Sequence, residues 1–192
     1  MRVAWCVTGS GDKLKETLEV MRGLKESHGE GLKVEVFLSK AGAQVAKYYK
    51  VTEQLQGCFD RHWAEVDANT PFLAGRLQLG EFDLVLVAPA TSNTVAKIAH
   101  GVSDTLVTNA AIQAVKGFVP VYIMPVDYEE GTTMTVLPNG RTLRIRVRKE
   151  DAENARRLEA MEGIRTIRTP GEIPGVLASF MEHGGGASHQ PR

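Results

Sequence analysis

The chain has 192 residues, the length of a single domain that can bury a substantial hydrophobic core. Its 43% hydrophobic and 24% charged residues are ordinary for a globular protein, and its 23 basic residues balance its 23 acidic residues. The zero net charge argues against a general nucleic-acid binder and a polybasic membrane binder, and no apolar run approaches the roughly 20 residues that span a bilayer.

Short apolar runs alternate with helical patterns along most of the chain. In chain order, the patterns predict a strand over Arg2–Thr8, a helix over Lys13–Ser27, a strand over Lys33–Leu38, a helix over Ala41–Lys50, a short helix over Pro71–Gln78, a strand over Asp83–Ala88, helices over Asn93–His100 and Asp104–Lys116, and a strand over Val119–Met124. The segment Val51–Asn69 is ambiguous, with His62–Val66 as its candidate strand. The continuous apolar run Asp83–Ala88 is typical of a central parallel strand covered on both faces.

The pattern changes after the last of these strands. Thr133–Leu137 and Thr142–Val147 flank Pro138-Asn139-Gly140, and Asn-Gly between two β-rich runs predicts a hairpin. Helices follow over Glu150–Met161 and Gly171–Glu182. We therefore predict one domain over residues 1–182 and a disordered glycine-rich tail over residues 183–192. The strand–helix alternation predicts an α/β fold, a doubly wound parallel sheet in three α/β/α layers with a C-terminal β-hairpin.

The two cysteines, Cys6 and Cys58, are too few to hold a metal or an iron–sulfur cluster within one chain. Cys6 lies in a predicted buried strand, so we expect two reduced thiols rather than a disulfide. No histidine has metal-ligand spacing, and we expect no metal site. The N-terminal run Met1–Val7 lacks a long signal-peptide core, which predicts a cytoplasmic protein.

Ligands of doubly wound sheets bind beyond the carboxyl ends of the strands. Thr8-Gly9-Ser10-Gly11 follows the first strand, and its glycines allow the backbone to approach an anion at the start of the next helix. The third glycine of a dinucleotide fingerprint is missing, because position 14 is Leu, and Asp12 would repel a phosphate nearby. The alternative is a tight turn in which Asp12 caps the helix.

Hydroxyl groups follow two further strands. Ser39 begins a helix, where its hydroxyl is either a cap or a phosphate contact. Pro89-Ala90-Thr91-Ser92-Asn93-Thr94 places three hydroxyls and one carboxamide ahead of another helix. One Ser or Thr would be enough for a cap, so this run indicates a ligand with several acceptor atoms, such as a ribityl phosphate. Lys97, one turn later, either adds charge to that site or is solvated.

The run Pro89–Ala99, with Gly101 and Asp104, resembles the signature P-A-S/T-x-N-T-x-x-K-x-A-x-G-x-x-D of the flavoprotein superfamily, which includes flavin-dependent cysteine decarboxylases, phosphopantothenoylcysteine decarboxylase and flavin prenyltransferases. The resemblance implies a Rossmann-like or flavodoxin-like sheet, FMN as the cofactor, and trimers with flavin near a subunit interface. The incomplete glycine turn agrees with FMN rather than FAD, whose pyrophosphate favours the full fingerprint. The residues assigned to the cofactor are Thr8, Gly9, Ser10, Gly11, Ser39, Pro89, Ala90, Thr91, Ser92, Asn93, Thr94, Lys97, Asp104, Thr108 and Asn109.

Over nearly the whole chain, the sequence is similar to one branch, the archaeoflavoprotein and dihydromethanopterin reductase group. The similarity is carried by Met1–Lys13, Asn69–Leu73, Thr105–Ala111 and the Pro138-Asn139-Gly140 turn. It implies that dihydromethanopterin is reduced to tetrahydromethanopterin with flavin as the electron relay.

Two departures from the superfamily pattern bear on the activity. The decarboxylases carry a histidine in an Asn-Pro-x-x-His-like context, whereas here Asp67–Leu73 contains no histidine after its proline. They also carry a Pro-x-Met-Asn segment, where this chain has Met124-Pro125-Val126-Asp127. Cysteine decarboxylation is therefore disfavoured, while redox chemistry needs no protein base because the flavin carries the hydride. No catalytic side chain stands out, and Asn69 and Asp127 are the candidates for contacting substrate.

The leading hypothesis is an FMN-dependent reductase that takes electrons from a nicotinamide nucleotide, reduced flavin or ferredoxin and passes them to a pterin. The alternatives are an electron-transfer flavoprotein that serves ferredoxin-like partners and, less favoured, a decarboxylase or prenyltransferase relative. Arg144, Arg146 and Arg148 alternate along a predicted strand and should share one face. That face is either solvated or an interface, or a landing site for an anionic partner.

Overall fold

The computed structural model describes residues 1–183, and within them the strands form a six-stranded parallel sheet and a separate two-stranded antiparallel hairpin. The strands are β1 (Arg2–Val7), β2 (Lys33–Leu38), β3 (Arg61–Ala64), β4 (Leu84–Ala90), β5 (Val121–Pro125), β6 (Gly131–Val136), β7 (Thr142–Val147) and β8 (Ile164–Thr166). Residues 184–192 of the predicted tail lie outside the described residues, and residue 183 ends the last helix.

Helices cover both faces of the sheet. They are α1 (Leu14–His28), α2 (Lys40–Tyr48), α3 (Thr52–Gly57), α4 (Leu73–Gln78), α5 (Ser92–Ala99), α6 (Leu106–Lys116), α7 (Lys149–Glu159) and α8 (Ile173–His183). One hydrophobic cluster packs α1, α2, α3 and α8 against the sheet, and a second cluster packs α4, α5, α6 and α7 against it. Neighbouring strand residues divide between the clusters, as Trp5 and Cys6 do, because successive side chains point to opposite faces.

The strand order of the sheet is β3-β2-β1-β4-β5-β8. The order reverses between β1 and β4, which are paired in parallel over Val3–Cys6, so the crevice beyond their carboxyl ends is the topological switch point. All seven residues of β4 are buried, which confirms the prediction of a central strand from its continuous apolar run. The doubly wound α/β fold is confirmed, with the hairpin β6–β7 inserted between β5 and α7.

Three details differ from the sequence-based expectations. The ambiguous segment contains α3 and the short strand β3, and His62 lies within that strand, paired with Val36. The sixth strand, β8, was not predicted, because three residues are too few to show a periodicity. Arg148 lies outside the strand that carries Arg144 and Arg146, because β7 ends at Val147 and Arg148 is the N-cap of α7.

Both cysteines are free thiols, as predicted. Cys6 is fully buried in β1, and burial raises the pKa of its thiol to about 12, so it stays protonated and unreactive. Across the described part of the chain, none of the helices combines the length and the apolar character needed to cross a membrane.

Candidate functional site

The segments that follow β1 and β4 are tied together at the switch point. The Thr8 hydroxyl donates a hydrogen bond to the Pro89 carbonyl (2.8 Å) and accepts one from the Thr91 N–H (2.9 Å). Within β1, three residues before Thr8, the Trp5 indole N–H donates to the Ala88 carbonyl (2.7 Å). The structure therefore brings together the glycine turn and the hydroxyl-rich run, which are about eighty residues apart in the sequence.

The first turn of α2 packs against the end of β1. The Ser39 N–H donates to the Val7 carbonyl (3.0 Å), and a Cβ built on Gly9 would lie 2.7 Å from the Cβ of Ala41. A Cβ on Gly42 would overlap the carbonyl oxygen of Val7. Glycine is required at positions 9 and 42 because a larger residue would collide with these neighbours. The same contacts place Ser39 beside the turn after β1.

Ser39 caps a helix, and its contact with a phosphate stays a prediction. Its hydroxyl oxygen accepts a hydrogen bond from the Gly42 N–H (2.9 Å), which makes it the N-cap of α2. A hydroxyl that accepts in this way keeps its own proton to donate, so the cap remains able to bind an anion. In the first turn of α2, the Gly42 N–H donates to Ser39 and the Lys40 N–H donates to the Glu65 carboxylate, so the Ala41 N–H is the one left for an anion within the described residues.

The turn after β1 does not use Asp12 as a helix cap, so that alternative was wrong. The N-cap of α1 is Lys13, in a left-handed conformation (φ 59°) and without a side-chain cap hydrogen bond. Ser10 instead accepts a hydrogen bond from the Asp12 N–H (3.2 Å). The glycine at position 11 lies against Tyr49, whose hydroxyl a Cβ there would overlap.

Capping explains part of the run Pro89–Thr94, but not all of it. Thr91 is the N-cap of α5 and accepts from the Thr94 N–H (3.3 Å), and the two hydroxyls lie 3.1 Å apart. The Ser92 hydroxyl donates to the carboxylate of Asp127. Asn93 is exposed and makes no side-chain hydrogen bond to the described residues. Its carboxamide is therefore available to a ligand.

Three further residues assigned to the cofactor are engaged with neighbouring side chains. The Lys97 ammonium lies 2.8 Å from both carboxylate oxygens of Asp104, and this hydrogen bond lowers the pKa of Asp104. Thr108 and Thr105 form the capping box of α6. Neither pair shows a free group that points to a ligand, and their role in cofactor binding stays a prediction.

Asn109 connects α6 to the loop that precedes α4. Its side chain, in a residue only 7% exposed, donates to the Ala68 carbonyl (3.0 Å) and to the Asn69 side-chain oxygen (3.2 Å). Both Asn69 and Phe72 are exposed in this loop. The side chain of Asn109 therefore holds this loop in position. The contact of Asn69 with substrate stays a prediction.

Glu65 is a site residue that the sequence reasoning missed. One carboxylate oxygen accepts from the Lys40 N–H (2.9 Å) and the other from the Leu106 N–H (3.2 Å), so a single carboxylate caps the amino-terminal ends of α2 and α6. Lys40 and Leu106 lie 25 and 41 residues from Glu65 in the sequence, so no local sequence motif predicts these hydrogen bonds.

The donors at this edge of the sheet fit a phosphate-bearing ligand. The glycine turn, the Ser39 hydroxyl and the first turn of α2 converge, and the close approach of Gly9 to Ala41 leaves backbone rather than side chain at this corner. Of the carboxylates near this edge, Glu65 and Asp127 already accept hydrogen bonds from the chain, and Asp12 is exposed after the glycine turn. Asn93 adds a free carboxamide.

The family model, the similar sequences and the similar structures all relate this chain to flavoproteins. The Flavoprotein family model matches residues 1–182. An uncharacterized protein of Methanocaldococcus jannaschii is 47% identical over 95% of this chain and 97% of its own length, and the dihydromethanopterin reductase (acceptor) of the same organism is 33% identical over 90% and 94%. The structure of Burkholderia xenovorans DmrB in complex with FMN, described as a cubic protein cage for redox transfer, superposes with a TM-score of 0.82 at 33% identity, covering 96% of this chain and 97% of that one.

Proposed function

Because this chain belongs to the Flavoprotein family, we propose that it is an FMN-dependent reductase that converts dihydromethanopterin to tetrahydromethanopterin. The family confirms the resemblance first seen in Pro89–Thr94, and FMN is the cofactor that the similar cage protein binds. The observation that carries the proposal is the convergence of the glycine turn, Ser39 and the Pro89–Thr94 run at the switch point.

The protein's own residues hold and orient the cofactor. Ser39 and the backbone of the turn at Gly9–Gly11 would hold the phosphate end, and the free carboxamide of Asn93 would offer hydrogen bonds to another polar part of the cofactor. FMN supplies the hydride chemistry when it is bound, so no protein base is required. The pterin and the electron donor use the same open crevice at the carboxyl ends of β1, β4 and β5.

The second candidate function is electron transfer between protein partners. Arg144 and Arg146 support it, because both are exposed and lie on the same face of the hairpin. Their cross-strand partners on that face are Met134 and Thr132. Such a face suits an acidic ferredoxin-like protein. A decarboxylase or prenyltransferase activity is disfavoured, since His62 lies within β3 and not in the loop after it.

One anaerobic experiment tests the proposal and separates the alternatives. We expect the purified protein to be yellow and to release a cofactor with the mass of FMN. Reduction by dithionite followed by dihydromethanopterin should reoxidise the flavin and yield tetrahydromethanopterin. Reoxidation by a ferredoxin alone would support the electron carrier, and a released cofactor with the mass of FAD would contradict the cofactor assignment.

Replacement of Asn93 with alanine is expected to weaken FMN binding about tenfold, which is the effect of losing one hydrogen bond to a polar ligand. The free protein should be almost unaffected, because the side chain has no partner in the described structure. Fluorescence titration of the apoprotein with FMN measures the change. An unchanged dissociation constant would remove Asn93 from the site, and Gln113→Ala, on α6, serves as a control for loss of a surface carboxamide.

We also propose a cytoplasmic homo-oligomer built from trimers. The free, buried thiol of Cys6 supports a reducing compartment. The hairpin supports assembly, because an isolated pair of strands is only marginally stable in water. The strands β6 and β7 expose apolar side chains on both faces, which a neighbouring subunit would cover. Met134 and Val136 lie on one face, and Leu143 and Ile145 lie on the other.

Charge placed on the hairpin is expected to break this assembly. We expect the wild type to be an oligomer in light scattering, and at least one of the double variants Met134→Asp/Val136→Asp and Leu143→Asp/Ile145→Asp to have a smaller mass, because a buried unpaired carboxylate is costly. Leu79→Asp, at a 77% exposed apolar residue between α4 and β4, is the matched control and should keep the wild-type mass. A monomeric wild type would contradict the oligomer, and unchanged masses in both double variants would exclude the hairpin.

A further inference from the structure

Two polar residues at the rim of the site, Ser92 and Asp127, contact each other. Ser92 occupies the variable position of the flavoprotein signature, and Asp127 ends the run Met124-Pro125-Val126-Asp127, which this chain has in place of the decarboxylases' Pro-x-Met-Asn segment. Although 35 residues apart, they are hydrogen-bonded, with the Ser92 hydroxyl donating to one carboxylate oxygen of Asp127. The Val126 N–H donates to the Ala90 carbonyl (3.1 Å), which fixes this loop against the end of β4.

The other carboxylate oxygen of Asp127 has no partner. Within residues 1–183 it accepts no hydrogen bond, and Asp127 forms no salt bridge. The guanidinium of Arg148 interacts with Asp127 through its charge only, because it is hydrogen-bonded to both carboxylate oxygens of Asp151. Asp127 is half-buried at the carboxyl end of β5, beside the strand that leads into Pro89–Thr94. A partly desolvated carboxylate with a free oxygen is suited to a ligand that offers N–H groups.

We propose that Asp127 is the residue that recognises the pterin ring. It accepts hydrogen bonds from the ring N3–H and the 2-amino group, which point in parallel from one edge of a 2-amino-4-oxopyrimidine and match the two oxygens of a carboxylate. The oxygen that Ser92 contacts has a second lone pair, so the Ser92 hydroxyl orients the carboxylate without competing with the ligand. This inference rests on the proposed pterin reductase function.

A carboxylate at position 127 and a carboxamide there would prefer different heterocycles. A carboxylate accepts two hydrogen bonds, whereas a carboxamide accepts one and donates one. The edge of a lumazine carries N3–H beside a 2-oxo group, so it fits a carboxamide and opposes a carboxylate with an unpaired oxygen. A site with Asp127 should therefore select a pterin over a lumazine, and an Asn there should reverse that selection.

The test compares three FMN-loaded proteins, the wild type, Asp127→Asn and Asp127→Glu. The flavin is reduced with dithionite under anaerobic conditions, and its reoxidation is followed with 6-methyl-7,8-dihydropterin or 6-methyl-7,8-dihydrolumazine. Reoxidation by ferricyanide, which offers no N–H groups, supplies the reference rate for each protein. We expect Asp127→Asn to raise the KM for the dihydropterin about 10- to 100-fold and to shift selectivity towards the dihydrolumazine.

Each outcome decides between the inference and the function on which it rests. If the wild type reduces the dihydropterin and Asp127→Asn keeps both its KM and its selectivity, the inference is overturned and the reductase function stands. If the wild type reduces neither 6-methyl-7,8-dihydropterin nor dihydromethanopterin, both are overturned. Should Asp127→Asn lose its flavin, Asp127→Glu decides, because it keeps the charge but displaces both acceptor oxygens by one methylene group. It should raise the KM for the dihydropterin, and an unchanged KM overturns the inference.

Discussion

Replacement of Gly42 with alanine is expected to destabilise the protein by about 2–3 kcal/mol and to weaken FMN binding more than any single hydroxyl substitution. The added Cβ would overlap the carbonyl oxygen of Val7 and approach the Ser39 hydroxyl to 3.2 Å. The first neighbour is backbone at the end of a central strand, so it cannot rotate away. The first turn of α2 must move instead, and it carries Ser39 away from the turn after β1.

A matched glycine separates this effect from a general effect of alanine in a helix. Gly23 lies inside α1, and a Cβ built there has no atom within 4 Å. Gly23→Ala should therefore stabilise the protein by about 0.5–1 kcal/mol through helix propensity alone and leave FMN affinity unchanged. Urea unfolding and FMN titration of both variants are the measurements. Equal stability and equal affinity of Gly42→Ala and the wild type would show that α2 need not lie against β1.

The residues that could be predicted from the sequence are those whose signal is local. Hydroxyls and glycines at strand ends marked Thr8, Ser39 and Pro89–Thr94, because buried strands show as apolar runs and the site of a doubly wound sheet lies at their carboxyl ends. The structure brings these segments together. The sequence could not show that Thr91 and Ser39 also cap helices while Asn93 remains free.

The residues that the sequence did not reveal depend on tertiary contacts. Glu65 bridges two helix ends, and a lone glutamate after a short, ambiguous strand has no distinguishing pattern. Asp127 was a substrate candidate, but its pairing with Ser92 depends on the register of β4 and β5. Arg148 was assigned to a strand because the alternation of arginines with apolar residues continues past Val147. In the structure it is instead the N-cap of α7, where it forms an ion pair with Asp151.

A buried ion pair connects β2, the strand next to the edge of the sheet, to α4. Glu35, only 8% exposed on β2, accepts two hydrogen bonds from the guanidinium of Arg76 (2.7 and 2.9 Å) and one from the Trp63 indole (3.0 Å). Arg76 also binds Glu81 and lies over the ring of Phe82. Glu35→Ala is expected to cost about 3–5 kcal/mol, because it leaves a largely buried guanidinium without its main partner.

The controls for this pair follow from the same geometry. Trp63→Phe removes only the indole donor and should cost about 1 kcal/mol. The double variant Glu35→Leu/Arg76→Met removes both charges and should be more stable than Glu35→Ala. The free energy of unfolding in urea is the measurement for all three. If Glu35→Ala matched Trp63→Phe, the ion pair would contribute nothing beyond one neutral hydrogen bond.

The contribution of this pair should disappear in acid. Burial acts to raise the pKa of Glu35, but the hydrogen bonds from Arg76 and Trp63 outweigh it, so the pKa lies below its ordinary value of 4.5. A group whose pKa is lower in the folded state stabilises the protein above its unfolded pKa, and that stabilisation is lost as the pH falls through the folded pKa. The difference in unfolding free energy between the wild type and Glu35→Gln should therefore be constant above pH 4.5 and shrink below it. Because the other carboxylates are the same in both proteins, urea unfolding of the pair at successive pH values isolates Glu35. A difference that persists unchanged into acid would mean that Glu35 is not ionised in the folded protein.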